Sequence, residues 1–528
     1  MMKAKKMYLI VFLIALIALT PCFSACKKKE QETIKKDSAL VKNAYEIYKE
    51  DDSKLQVKPQ GVKISIEGIN YDEESTTDVA TAVKTILLTA EGLNPKTESG
   101  KVELEKLVSC FTEISDDTYS TDEYQYLYEK IFGKTITVSL NNERRAELDN
   151  LAKEAENLIE NRQGKSDRVL IHQNTGTITW KVDVPETGFY NLQLDYFTIS
   201  GYSSSIERKL LINGEIPFDG ADSFTFSRIW KDNVDSFDEN GNFNTDTNGN
   251  DVKPQQVELY SFRNNYFKDD MGYVTEPYMF YFEKGENTIS LSSIKEPVLI
   301  DCIEILSVND IVDYQTYISQ MKALHPQTNI TNQMVYIDAE KATYKSSPTL
   351  YPITDRSSSN TYPFSLKETK KNIIGGDQWK VLGDWISWEF TVPESGYYNI
   401  SMRARQNLVR GMYSSRIAYV SEASTQNASQ TLFSELSDVQ FSFSSNWQNV
   451  TLGNGTDNYE FYFEKGKTYS FTLEVTLGAY APLIERIQST IDELSRTYRN
   501  IVAYTTTSPD KNRDYQLTGE NGKFPNLL

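Results

Sequence analysis

Residues 180–190 read WKVDVPETGFY, and residues 388–398 read WEFTVPESGYY. Trp180, Val184, Pro185, Glu186, Gly188 and Tyr190 recur as Trp388, Val392, Pro393, Glu394, Gly396 and Tyr398, all at an offset of 208. A second echo follows in the same order, FYFEKG at 280–285 and again at 461–466. Two ordered landmarks, each duplicated, point to two related modules. In the first copy Trp180, Val182 and Val184 alternate with Lys181 and Asp183; in the second, Trp388, Phe390 and Val392 alternate with Glu389 and Thr391. A period of two with one apolar face is a half-buried strand. Pro-Glu-Thr/Ser-Gly then breaks it, proline presetting φ and glycine supplying a left-handed position. Alternation resumes at Tyr190, Leu192, Leu194 and Tyr196, and at Tyr398, Ile400 and Met402. Strand, tight turn and strand predict a hairpin. Two such hairpins within long β-rich segments predict a mainly β chain built on two tandem antiparallel β-sandwiches.

Outward from these landmarks the chain divides into blocks. Residues 1–25 read as an export signal: Lys3, Lys5 and Lys6 precede an apolar run from Met7 to Thr20, short of the ~18 residues a membrane helix needs. The run ends at Phe23-Ser24-Ala25-Cys26, which resembles a lipobox with Phe23 in place of the usual leucine and makes Cys26 the lipidation candidate. Residues 26–60 are polar and rich in Lys and Glu, as in a tether. Residues 61–77 open with an alternating stretch, GVKISIEGINY, that predicts the first strand of module one. Residues 78–163 change to helical spacing (Leu104, Leu107, Val108, Phe111; Leu148, Leu151, Ala152, Ala155, Leu158), with Ser120 and Glu123 as a capping box and Gly133 as a stop. They predict a helical subdomain inserted near the start of module one.

Module one then occupies 164–308 and module two 330–477, with a linker helix at 309–329 capped by Asn309. Residues 478–528 carry a last helix whose stripe, Ile484, Ile487, Ile491, Leu494, Tyr498 and Ile501, has to pack on another element. Cys110 and Cys302 sit in apolar settings and read as buried free thiols.

A net charge of −19 argues against nucleic acid and anionic bilayers as partners. With two histidines and no zinc, nucleophile-elbow, phosphate-loop or C-x-x-C signature, the chain reads as a non-enzyme. A sugar site combines an aromatic platform with a few fixed polar groups. In module two, GGDQWKVLGDWISW at 375–388 and RARQNLVRG at 403–411 offer Trp379 and Trp385 as platform and Arg403, Arg405, Gln406 and Asn407 as donors. Glu207, Arg208, Arg228 and Trp230 are the candidates in module one. No cofactor and no metal are called for: the loop with Asn244, Asp246 and Asn248 mimics calcium spacing but has Asn at its first position and Gln255 in place of the distal Glu, so it reads as a solvated loop. Asp246, Asn248 and the pair Asp338 and Glu340, two residues apart on one strand face, are the candidates for a structural calcium ion.

The ordered landmarks SIER-x-LLING-x-IPF, FSRIW, KPQQVE, YKSSPTLYPI-x-DR, GDWISW, VPESGYY, RQN and LEVTLG resemble the N-terminal region of large bacterial solute-binding lipoproteins that serve sugar-importing ABC transporters. The resemblance covers about residues 165–518. It implies two galactose-binding-like (jelly-roll) carbohydrate modules followed, in the family, by a family-1 sugar receptor. Two departures stand out. Module two has no counterpart of ING-x-IPF after Arg416, which implies a decayed ligand surface there, and residues 478–528 are too few for a bilobal receptor. The expectation is therefore a lipid-anchored, extracytoplasmic, carbohydrate-binding accessory of an ABC importer or its receptor. The alternatives are a surface scaffold without sugar affinity and a truncated solute-binding protein.

Overall fold

Each copy of the duplicated stretch crosses between two sheets. In the computed structural model, which describes residues 43–112, 119–162, 165–326, 332–423, 431–517 and Lys523, strand Thr177–Val184 pairs with Gly285–Lys295. Strand Gly188–Thr198, just past the turn, pairs instead with Val298–Ser307, Phe262–Tyr266 and Met279–Phe282 in the opposite sheet. The second copy does the same: Trp385–Thr391 pairs with Thr468–Thr476, and Gly396–Tyr398 with Phe461–Phe463. The predicted hairpins are arches. Alternation fixes which face of a strand is apolar and leaves its neighbour open. An arch lets Trp180 and Tyr190, both fully buried, enter one core from two sides. Gly188 is needed for close approach rather than for a left-handed φ, since a Cβ there would meet the Val57 carbonyl at 2.6 Å.

The duplication extends to hydrogen bonds. Tyr190 Oη donates to the Glu186 carbonyl and Tyr398 Oη to that of Glu394, each at 2.7 Å. Thr187 Oγ1 accepts from Lys284 N–H and Ser395 Oγ from Lys465 N–H, each at 2.9 Å. Trp180 Nε1 donates to the Gly68 carbonyl (2.9 Å) and Trp388 Nε1 to that of Ala339 (2.8 Å). Three matched pairs of hydrogen bonds hold the two crossings, so the arch is one shape used twice.

Module one faces a seven-stranded sheet against a four-stranded one, all antiparallel. The longer sheet is covered on its other side by helices Glu98–Val108, Thr121–Ile131 and Asn142–Glu160, which bury Leu104, Leu127, Leu148 and Leu158 against Val169, Ile171, Phe197 and Leu299. Burial on both faces explains why strand Val298–Ser307 shows no polar alternation. The 78–163 block is not wholly helical: Val83–Leu87 is a strand that extends this sheet beside Arg168–His172. Ser120 and Glu123 form both halves of the capping box. Cys110 and Cys302 are buried and unbridged.

Residues 1–25 and Cys26 lie outside the described residues. Of the predicted tether, residues 43–60 lie on module one. Helix Ala44–Lys49 sets Tyr45 and Tyr48 against Phe218 at ring-centroid distances of 5.0 and 5.1 Å, and both hydroxyls accept backbone N–H bonds, from Met279 and Tyr281.

Module two is one continuous sheet facing two short ladders, Gly396–Tyr398 with Phe461–Phe463 and Ser401–Ala404 with Gln448–Thr451. The linker helix spans Tyr314–Leu324 and is capped by Asp313, not Asn309. The Asp313 carboxylate accepts Thr316 N–H at 2.8 Å, and Tyr314 and Ile318 enter module two's core. Residues 338–340 are coil and turn, so Asp338 and Glu340 do not share a strand face.

The large sheet of module two does not stop at the module border. Its edge strand Tyr344–Lys345 pairs with Ile229–Asp232, which pairs with Gln256–Leu259, both from module one's segment of the chain. At the seam Lys345 is fully buried, its Nζ 2.5 Å from Asp232 Oδ1 and 2.9 Å from Gln256 Oε1. Lys268 bridges to Glu474 at 2.7 Å nearby.

Candidate binding cleft

The four module-one candidates make no accessible site. Arg208 is fully buried: its guanidinium donates to His172 Nδ1 (3.2 Å) and to the Lys295 and Glu296 carbonyls (2.9 and 2.8 Å). Burial, reinforced by the Arg208 charge, pushes the His172 imidazole down to about 3. Arg228 is also interior and bridges Glu258 (2.5 Å) and Glu296 (2.9 Å). Trp230 lies in the seam strand, buried opposite Lys345, and Glu207 pairs with Lys295 at the sheet surface. A charged residue on a strand reads as a surface residue until its partners are known, and here the partners are inside.

Arg416 occupies the position of Arg208 in module two. The offset is again 208, and the ladders agree: Arg208 lies opposite Ser293 and Arg416 opposite Val475, on equivalent neighbouring strands. What differs is the lid. Among the described residues no counterpart of His172 or Glu296 closes over Arg416, and its side chain lines a cleft of about 1740 Å³ instead. It donates to Ser414 Oγ and the Ser415 carbonyl (both 2.8 Å) and to the Trp379 carbonyl (3.1 Å), and its guanidinium lies 4.4 Å from the Trp379 ring centroid. Nε has no partner, no carboxylate pairs with Arg416 among the described residues, and burial pushes its pKa down to about 10. A cleft-lining cation with no carboxylate partner among the described residues attracts an acceptor group on a ligand.

Trp379 is held for this role. Its Nε1 donates to the Asp384 carbonyl at 3.0 Å, and Gly375, at φ 100°, presses on the ring so closely that a Cβ would stand 3.0 Å from Cε3. A second cation–aromatic pair lines the same cleft. Arg405 stands 4.9 Å from the Trp447 ring centroid and 3.5 Å from Asp355, whose Oδ2 accepts Trp447 Nε1 at 2.5 Å. Arg403 is exposed on strand Ser401–Ala404, and Asn407 is exposed at the rim. Gln406 also lines the cleft, but its amide is consumed by the loop it closes, donating to the Val409 and Met412 carbonyls and accepting from Leu408 and Val409 N–H.

Trp385 is not in the cleft. It begins strand Trp385–Thr391, is 8% exposed, and faces the module seam, where Nε1 reaches Ser227 Oγ (3.3 Å) and Arg263 covers its ring at 4.7 Å. Glycine and aspartate just before a tryptophan mark a strand's entry as readily as a loop.

Solved structures similar to parts of the chain include a family 35 carbohydrate binding module from Clostridium thermocellum (15% identity, 27% of this chain and 80% of that one, TM-score 0.17). Others are the Podospora anserina GH26-CBM35 β-(1,4)-mannanase (12%, 33% and 34%, 0.15) and a Paenibacillus xanthan lyase (14%, 59% and 22%, 0.17). No family model and no curated protein matches the sequence. At these scores the fold rests on the strand pairings themselves.

The calcium candidates are spread over separate tasks. Asp246 Oδ1 accepts Asn248 and Asn250 N–H (2.8 and 2.9 Å) and Oδ2 accepts Asn250 Nδ2, so the carboxylate holds its own exposed turn. Asn244 Nδ2 donates to the Asp235 carbonyl. Asp338 pairs with Lys341 at 3.4 Å, and burial, with Asp338 nearby, pushes the Glu340 carboxyl up to about 7. Among the described residues the closely convergent set of potential ligands is Asp195, Asp301 and Cys302, and there Arg162 and Lys165 already neutralise Asp301.

Sequence reasoning passed over Arg416, Trp447 and Asp355. The signal for Arg416 was present, since its distance from Arg208 equals the repeat offset. Trp447 sits in SSNWQN, a polar context without periodicity, and nothing local marks it.

Proposed function

We propose that the chain is a carbohydrate-binding protein whose second module takes the sugar in the Trp379–Arg416 cleft. The observation that carries this reading is the opening of that cleft where the duplicate position in module one is closed. Two indole faces, each beside an arginine, present the apolar and hydrogen-bonding surfaces a pyranose ring requires. Arg403, Arg405 and Arg416 line the cleft together with Asp338, Glu340 and Asp377, so charged donors and acceptors both face a bound sugar. The finer context follows from the resemblance: a lipid on Cys26 holds the protein on the outer face of the cell membrane, and the sugar is passed to an ABC importer or its receptor.

Affinity electrophoresis through gels containing neutral and uronic-acid-bearing polysaccharides tests the sugar reading. The parent is expected to be retarded by at least one of them. Trp379→Ala and Arg403→Ala are each expected to weaken retention about tenfold or more, and Glu207→Ala in module one to leave it unchanged. Absence of retardation in every gel overturns the proposal. The anchor has its own measurement: the protein made in a lipoprotein-processing host should partition into the detergent phase, and the Cys26→Ala variant into the aqueous phase. Identical partitioning of the two rules the lipid out.

A further inference from the structure

Module one shows which element module two lacks. In module one, strand Val298–Ser307 lies between Lys63–Glu67 and Gly188–Thr198 and pairs with both. Its residues Val298, Ile300, Ile303 and Ile305 are buried in the core.

Module two repeats both flanks without the strand between them. The repeat offset of 208 sets residues 398–404 on residues 190–196. One neighbour is kept: Leu452 N–H donates to the Ile400 carbonyl at 3.0 Å, as Phe267 N–H does to that of Leu192. The other edge is bare, since among the described residues the strands at 396–404 pair only with Phe461–Phe463 and Gln448–Thr451. The matched tryptophan bonds, to the carbonyls of Gly68 and Ala339, set residues 334–338 (MVYID) on Lys63–Glu67 (KISIE). MVYID is coil, with Met334 84% and Tyr336 76% exposed. A strand that has lost its neighbour has no ladder to hold it. Where module one turns from Gly285–Lys295 into Val298–Ser307, module two leaves Thr468–Thr476 for helix Ala481–Thr505. The stripe of that helix does not pack as its spacing predicted, for Ile487, Ile491 and Leu494 are exposed.

The gap reaches the core. Tyr190, Leu192, Leu194 and Tyr196 are fully buried, whereas Tyr398, Ile400, Met402 and Ala404 are only half-buried. The cleft runs between the layers to Trp388, Phe463, Phe471 and Leu473. An unpaired strand edge beside apolar side chains is what an added strand binds, its backbone completing the ladder and its alternate side chains filling the space. Charge narrows the class of strand. In module one Asp195 lies beside Asp301 of the central strand, and Lys165 pairs with both. Arg403 stands at the place of Asp195 in module two and is exposed, so an acid at the place of Asp301 meets a cation there.

We infer that module two takes an extended segment of another polypeptide as a strand between residues 334–338 and 398–404, with alternate apolar residues inward and an acidic residue beside Arg403. Glu296, two residues ahead of Val298, is part of what closes over Arg208. The incoming strand therefore begins beside Arg416 and competes with a sugar for the cleft.

Fluorescence anisotropy of a labelled peptide reads the result. The probe is residues 297–308 of this chain (PVLIDCIEILSV) made with Cys302→Ser. The full chain, made as Cys26→Ser so that it carries no lipid, is expected to bind it saturably. Peptide carrying Ile303→Asp and Ile305→Asp should bind about tenfold more weakly or worse. Peptide carrying Asp301→Lys should bind about fivefold more weakly and recover on a chain carrying Arg403→Glu. Hydrogen exchange should slow at both 334–338 and 398–404 when the probe binds. Absence of binding overturns the inference. So do equal binding of the Ile303→Asp, Ile305→Asp peptide, an Asp301→Lys peptide that Arg403→Glu does not restore, and exchange unchanged at both flanks. No polysaccharide is present in these measurements, so their failure and that of the sugar reading are told apart.

Discussion

Arg228→Met is expected to cost module one about 3–5 kcal/mol, the range for removing one partner of a buried ion pair. The guanidinium stands between Glu258 and Glu296, all three side chains at most 9% exposed, and it also donates to the Ile199 and Ser204 carbonyls at 2.7 and 2.8 Å. Methionine fills much of the volume and leaves two carboxylates in the interior. Burial already pushes the Glu258 carboxyl up with the arginine beside it. Glu296 is locked as well: its carboxylate accepts Tyr202 and Ser204 N–H, and Gly201 lies so close that a Cβ there would collide with it. The measurement is the urea midpoint followed by tryptophan emission. Adding Glu258→Gln and Glu296→Gln to Arg228→Met should return part of the loss, because the penalty belongs to the stranded charges. An Arg228→Met midpoint equal to the parent's shows that the triad is not paired in solution.

Lys345→Ala is expected to separate the unfolding of the two modules. Lys345 is the single side chain that satisfies both Asp232 and Gln256 across the seam, and it does so fully buried; the ammonium can stay charged there because Asp232 offsets the burial that pushes its pKa down. Without it Asp232, 6% exposed, keeps the Gln256 Nε2 hydrogen bond but loses its counter-ion beside a cavity, at a cost of about 3–5 kcal/mol placed on the seam rather than on either core. Calorimetry of the parent should give one main transition for the two sandwiches, and Lys345→Ala two resolved ones, the earlier belonging to module two with its incomplete second layer. A variant that still melts in one step at the parent's temperature refutes the coupling.

Much of the fold was legible because period-two runs around a repeated Trp and Tyr specify strands, faces and duplication without reference to anything distant. What they do not specify is pairing. Val182 is apolar-inward whether its neighbour is Leu192 or Asn287, and only the three-dimensional register decides that it is Asn287. The same limit hid the strand Val83–Leu87, a five-residue run between helical signals, and the docking of Tyr45 and Tyr48, whose helical spacing was masked by surrounding Lys and Glu. At the site, Trp379 and Arg405 were marked by aromatic and basic clusters in a turn-rich stretch. Arg208, Arg228 and Trp385 carried equivalent local marks and lie inside, because burial of a charge or an indole is decided by remote partners such as Glu296 and Arg263. Loss of the ING-x-IPF segment, which implied a decayed ligand surface, accompanies an open cleft in module two, while module one, which keeps the segment, has closed over its arginine.

The sheet that runs from Val439 through Tyr344 to Gln256 gives the molecule a mechanical property that two beads on a string lack. Across the seam the ladder is the pair Lys345 and Trp230, and with the Lys345–Asp232 and Lys268–Glu474 bridges beside it the joint resists a swivel of the cleft about the first half. The direction in which the cleft gazes is thus set by how the whole body stands, as the bearing of a fixed lamp is set by its wall.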